Sequence, residues 1–94
     1  MTNQSKAADT TAKLMLHFGK NYAAAERVLD TIDGEPERLW RAEDLFEAAG
    51  VDSMMELLMI VARLTYVEMI VHPAMGGYAA LGGAAAAGRS LRSA

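Results

Sequence analysis

Cysteine is absent from this chain of 94 residues, and histidine occurs only at His17 and His72. Without cysteine the chain forms no disulfide bond and offers no thiolate, either as a metal ligand or as a nucleophile. Two histidines far apart in the sequence do not supply the ligand set of a zinc site. The composition therefore predicts a protein without metal or cofactor.

We also expect no apolar leader segment. Residues 2–6 are polar, and no apolar run follows at the position that a signal peptide requires. Together with the absence of cysteine, which suits a reducing compartment, this predicts a cytoplasmic protein.

No catalytic arrangement emerges from the polar residues. Ser53 lies between Asp52 and Met54, not in a nucleophile elbow, and a position at the start of a helix explains it fully. Glu43 and Asp44 are adjacent on a predicted helix, so their carboxylates point in different directions. They are therefore poorly placed to act together as a general acid and a general base. We expect a protein that binds and is not an enzyme.

Negative charge is concentrated in the middle of the chain. Residues 26–56 contain ten acidic residues and three arginines, a net charge of −7, whereas each flank sums to +2. Such a surface repels nucleic-acid phosphates and attracts a partner with a basic surface. The acidic residues expected to face that partner are Glu35, Glu37, Glu43, Asp44 and Glu47.

The length allows one domain with one hydrophobic core. We divide the chain into a flexible N-terminus at residues 1–9, a single domain at residues 10–81, and an Ala/Gly-rich flexible tail at residues 82–94. A domain of this size buries only about two-thirds of the surface of its unfolded chain, so association with a second copy is a natural expectation.

Apolar periodicity predicts four helices. Helical spacing of apolar residues covers residues 11–18, 21–32, 42–49 and 53–64, with Gly19, Gly34 and Gly50 after the first three. Ser53 is the predicted N-cap of the last helix, with Glu56 placed as in a capping box. That helix is apolar nearly all the way round, so it must be covered on several sides.

Two readings remain open after this helix. Residues 67–71 alternate as in a strand, Gly76 and Gly77 supply a turn, and residues 78–81 can return as a second strand. The same residues also continue the apolar face of the helix as far as Val71. The fold class is therefore mainly α, either a small winged-helix-like domain with a C-terminal β-hairpin or an all-α bundle.

The order of elements from about residue 21 to 81 resembles a winged helix-turn-helix domain. An amphipathic helix, a short extended segment at Leu39 and Trp40, two helices joined at Gly50, and a hairpin follow one another. The sequence AEDLFEAAGVD at residues 42–52 is similar to the first half of the helix-turn-helix unit. This resemblance implies a regulator whose second helix, residues 53–64, enters the major groove of DNA.

The chain departs from that family at the helix that should read DNA. Arg63 is its only basic residue, and the helix before it carries three acids. The family also contains members that serve dimerisation or protein contact, which this chain resembles more. We therefore predict a small regulatory or adaptor protein, a homodimer that acts by protein–protein contact and, in one version, inhibits a nucleic-acid-binding partner. The predicted interface residues are Met54, Leu57, Ile60 and Val61.

Two alternative functions remain, and each would depend on other residues. A dimeric DNA-binding transcriptional regulator would use Arg38, Arg41 and Arg63, and its affinity would fall steeply with salt. An all-helical protein would serve assembly or membrane contact, since residues 69–88 form an uncharged run of 20 residues. That run contains Pro73 and five glycines, which argue against a membrane span.

Overall fold

The structure, a computed structural model, describes residues 2–82 and, for side chains, residues 9–82. The described chain is mainly helical with a small antiparallel hairpin, as predicted. Its helices are α1 (Thr2–Phe18), a 3-10 turn (Gly19–Asn21), α2 (Tyr22–Gly34), α3 (Ala42–Ala49) and α4 (Met54–Tyr66), and its strands are β1 (Ile70–Val71) and β2 (Ala79–Ala80). The predicted tail, apart from Gly82, lies outside the described residues.

Helix α1 begins earlier than the apolar repeat predicted. The helix starts at Thr2, so it includes residues 2–9 of the segment predicted as a flexible N-terminus. The segment contains no proline or glycine to interrupt a helix, and its alanines favour one. α1 ends at Phe18, followed by Gly19 with a positive φ of 57°.

The predicted boundaries of the next three helices are close to the observed ones. α3 has the predicted bounds. Gly50 follows it as the C-cap residue and adopts the left-handed conformation with φ of 70°. At the start of α4, Ser53 Oγ accepts a hydrogen bond from the Glu56 amide at 3.1 Å, and the Glu56 carboxylate accepts one from the Asp52 amide at 3.3 Å. The structure therefore has a variant of the predicted capping box, in which Glu56 reaches the amide of the residue before the N-cap, and these contacts fix where α4 begins.

The chain after α4 forms a hairpin and not a longer helix. α4 ends at Tyr66, and Ile70 of β1 pairs with Ala80 of β2. Trp40 forms an isolated antiparallel bridge on Tyr78, with N···O distances of 2.7 and 2.8 Å. The hairpin is thus tied to the segment before α3. The all-α alternative is wrong, and within the described residues no helix has the length and apolarity needed to cross a membrane.

The core lies between α2, α4 and the hairpin. Helix α2 contributes the buried residues Ala25, Val28, Leu29 and Ile32. Leu14 from α1, Leu45 from α3 and Ile70 from β1 pack into the same cluster. α4 contacts α2, α3 and β1, and its residues Leu57, Ile60, Val61 and Leu64 are buried, so its exposed residues lie on the opposite side of the helix.

Glu68, in the turn between α4 and β1, supports a prediction about stability. It is the only non-glycine residue of the described chain with a positive φ, 64°. A side chain costs about 1 kcal/mol in this conformation, whereas glycine adopts it freely. Glu68→Gly is therefore expected to raise the free energy of unfolding by about 0.5–1 kcal/mol in urea denaturation.

The control for this prediction is Glu68→Ala, which keeps the Cβ atom and hence the strain. We expect it to leave the free energy of unfolding close to that of the wild type. Equal stabilisation by both substitutions would show that the Glu68 side chain, and not its backbone conformation, carries the cost.

Candidate protein-contact surface

The inner face of α4 belongs to the core, which corrects the predicted interface. Leu57, Ile60 and Val61 are buried, with at most 3% of their surface exposed, and Met54 is half-buried against the same cluster. Side chains that the chain itself covers present no surface to a partner. Of the four residues predicted as an interface, Leu57, Ile60 and Val61 therefore belong to the core of the chain, and Met54 keeps part of its side chain exposed.

The outer face of α4 carries one part of the apolar surface that the fold leaves exposed, and the end of α1 carries another at Met15 (51% exposed) and Leu16 (78% exposed). Met55 is 71% exposed, Met59 68% and Tyr66 82%. With the exposed Ala62, they follow one another at helical spacing along one side of the helix, over about 16 Å at 1.5 Å per residue. We call Met55, Met59, Ala62 and Tyr66 the α4 stripe.

A groove runs beside the first half of the α4 stripe. Its volume is about 430 Å³. One wall comes from the end of α1 and the 3-10 turn, through His17, Phe18 and Asn21. The other wall belongs to the start and middle of α4 and is formed by Ser53, Met55, Glu56, Met59, Ile60 and Arg63. The lining of the groove is mainly apolar with a few polar side chains, a combination that is common in binding sites.

Glu56 and Arg63 flank the stripe on the side of the groove. They are seven residues apart, two helical turns, so they lie on the same side of α4. Glu56 lies near the start of the helix and Arg63 near its end, each where the helix dipole favours its charge. Arg63 forms no ion pair within the part of the chain that the structure describes. The surface therefore carries one negative end and one positive end.

All five predicted partner-facing acids are exposed. They lie on the loop after α2 and on α3, namely Glu35, Glu37, Glu43, Asp44 and Glu47. Glu43 and Asp44 also occupy the first turn of α3, where the helix dipole stabilises negative charge, so a local structural role accounts for part of this acidity. None of the five lines the groove beside the α4 stripe.

Arg38 is held inside this acidic surface. Its guanidinium lies 3.6 Å from the Glu35 carboxylate and 3.7 Å from the Asp44 carboxylate. The same group stacks over the indole of Trp40, with its Cζ atom 3.7 Å from the ring centroid. Arg38 is therefore occupied by contacts within the protein.

The structure does not bring the three candidate DNA-binding arginines to one depression. Arg41 lines a depression against the hairpin turn, with Met75 and Tyr78. Arg63 lines the groove beside α4, and Arg38 a third depression next to Trp40. A nucleic-acid surface that depends on their convergence gains no support from this arrangement.

Acidic groups also crowd the end of α2. Partial burial raises the pKa of Asp33 above its ordinary value, and the Asp30 carboxylate adds to the rise. The pKa of Asp30 is raised too, by burial and then by the charge of Glu26. A raised pKa means that the folded protein binds the proton more tightly than the unfolded chain. These charges therefore oppose folding at neutral pH, and the effect disappears as the pH falls through the folded pKa values.

Sequence reasoning missed the α4 stripe. The charged residues Glu56 and Arg63 lie on one side of the helix, but Ile60 is as near to them in helical steps as Met59 is. The charges therefore do not distinguish the exposed side of α4 from the buried one.

The chain matches no known family model, and comparison with curated proteins and with solved structures finds no significant similarity.

Proposed function

We propose that this chain is a small non-enzymatic regulatory or adaptor protein that acts by protein–protein contact. The observation that carries the proposal is the α4 stripe, in which Met55, Met59 and Tyr66 are each more than two-thirds exposed. Contiguous exposed apolar surface on a small protein marks a contact site. Flexible methionines and an aromatic ring with a polar tip suit such a site.

A winged-helix-like core is part of the proposal. It is supported by the order of α2, the Trp40 bridge, α3, α4 and the hairpin, together with the pairing of Trp40 with Tyr78. In the winged helix-turn-helix resemblance, α4 corresponds to the helix that would enter the major groove of DNA. A helix that presents methionines and a tyrosine at that position suits a protein surface better than base edges and phosphates.

The acidic surface indicates the charge of the target. Exposed carboxylates at Glu37, Glu43 and Glu47 favour a partner with a basic surface, and they act mainly by accelerating association. A nucleic-acid-binding protein presents such a surface, so inhibition of one fits this proposal. The missing cysteines are consistent with action in the cytoplasm.

Two substitutions of exposed methionines test the proposal. Met59→Glu places a charge in the α4 stripe, whereas Met75→Glu places the same charge in the hairpin turn, at a side chain of similar exposure, 59% against 68%. We expect immobilised wild type and Met75→Glu to retain the same partner from a cell extract, whether a second copy of this chain or another protein, and Met59→Glu to lose it. If all three baits retain the same proteins, the α4 stripe is not the contact surface.

A second assay separates this function from DNA binding. The wild type is titrated into a labelled duplex of mixed sequence at low ionic strength, and we expect no retardation in a gel. A retarded complex whose affinity falls steeply with added salt, and which Arg63→Ala weakens, would instead indicate the DNA-binding regulator.

A further inference from the structure

We infer that the protein covering the α4 stripe is a second copy of this chain, packed with its α4 antiparallel across a two-fold axis near Met59. The inference rests on the proposed function, because it names the partner of the same surface. The charges and the shape of the surface itself indicate this partner.

The charges are complementary to their own rotated image. Glu56 and Arg63 lie at equal distances on either side of the point between Met59 and Ile60. An antiparallel two-fold arrangement therefore places Glu56 of each copy opposite Arg63 of the other. Both residues border the groove, so both pairs form on the same side of the helix pair. An unrelated partner would not require this symmetry, whereas an isologous interface does.

The shape fits the same arrangement. Tyr66 lies about 10 Å from the axis along the helix, and the residue at the same distance on the other side is Ser53. The exposed ring of Tyr66 thus comes to the end of the partner's groove where Ser53 and Asn21 supply polar atoms. The tyrosine hydroxyl finds hydrogen-bond partners there while its ring covers Phe18 and Met55.

Methionine at the centre suits a self-contact. Met59 of each copy meets the other across the axis, and an unbranched thioether side chain adjusts to an identical neighbour at low cost. The arrangement leaves the acidic surface free, since none of its five residues lines the groove. A dimer assembled through α4 therefore presents two acidic surfaces to a basic target.

The test measures the solution mass of the full chain over a range of concentrations by sedimentation equilibrium. We expect the wild type to approach twice the 10.1 kDa mass of one chain. Glu56→Arg and Arg63→Glu each turn two attractive pairs into two repulsive ones, and each is expected to weaken dimerisation by at least about tenfold. Circular dichroism on each variant verifies that the helix remains folded, because Glu56 also belongs to the capping box.

Mixing the two variants distinguishes this arrangement from others. In a mixed dimer the introduced arginine faces the introduced glutamate, and native Arg63 faces native Glu56. We therefore expect an equimolar mixture to form heterodimers with close to wild-type affinity, and the chain carrying both substitutions to form homodimers again. The matched controls are Asp30→Arg and Arg41→Glu, exposed charges away from the groove, which should leave the mass unchanged.

Three outcomes would overturn the inference: a wild type that is monomeric at every concentration, a dimer that neither charge reversal weakens, or weakened variants that do not recover on mixing. A monomer whose retained proteins are still lost in Met59→Glu would overturn only the second copy and would leave protein contact standing. Equal retention by all baits, together with a dimer that behaves as expected, would leave the second copy on the α4 stripe standing. It would show that the retained proteins bind elsewhere on the chain.

Discussion

Replacing Leu57 by alanine is expected to lower the free energy of unfolding by about 2–5 kcal/mol, the range for a large buried side chain that leaves a cavity. Leu57 has no exposed surface, and it lies in the cluster that α4 shares with α2, α3 and the hairpin. A small domain has only a few kcal/mol of stability to lose, so a large part of the population unfolds at moderate denaturant. Urea denaturation measures the change.

The matched control lies two residues further along the same helix. Met59→Ala removes a side chain that is 68% exposed on a single chain, so we expect a change within about 0.5 kcal/mol at protein concentrations too low for the chain to dimerise. The fluorescence of Trp40, the only tryptophan and a buried one, reports unfolding in both variants. A large loss for Met59→Ala with a small one for Leu57→Ala would mean that the two faces of α4 are assigned the wrong way round.

The second large effect is expected at the hairpin turn. A Cβ atom added at Gly77 would lie 2.9 Å from the carbonyl oxygen of Trp40 and 3.0 Å from two side-chain carbons of Leu39. That oxygen accepts the hydrogen bond from the Tyr78 amide, so it has no freedom to move away. The backbone at Gly77 also has a positive φ of 80°, which disfavours any side chain. We expect Gly77→Ala to lower the free energy of unfolding by about 2–4 kcal/mol.

Gly76→Ala separates the collision of the added Cβ atom from the strain of a positive φ. Gly76 also has a positive φ, 103°, but an added Cβ atom meets nothing within 4 Å. We expect it to cost about 1–2 kcal/mol, from backbone strain alone. Amide exchange of Trp40 and Tyr78 should accelerate more in Gly77→Ala, because the collision opens their pairing. Equal costs at the two glycines would show that the close approach to Trp40 has no energetic weight.

Local signals in the sequence were sufficient for the helices. Ala42–Ala49 was predicted with its observed bounds, because a regular apolar repeat ends at a glycine that adopts the left-handed conformation. The start of α4 was predicted from Ser53 and Glu56, whose capping contacts depend on residues within one turn. The glycine after α3 and the N-cap of α4 depend on neighbouring residues in the sequence, so a sequence pattern can predict them.

The chain after α4 could not be decided locally. Its residues fit both a helical and an alternating pattern, and the pairing of Ile70 with Ala80 joins segments ten residues apart. The bridge from Trp40 to Tyr78 spans a much longer stretch of sequence. These contacts exist only once α3 and α4 have brought the two segments together, so no local preference could establish them.

The sequence by itself determined a mainly helical domain, an acidic middle and one helix too apolar to stand alone in water. Only the tertiary structure decided which side of that helix is covered. Leu57 and Val61 are buried in the core, whereas Met55, Met59 and Tyr66 are exposed. The reason is physical: on a helix that is apolar nearly all the way round, hydrophobicity does not distinguish the faces, and the direction of burial depends on where the neighbouring helices lie.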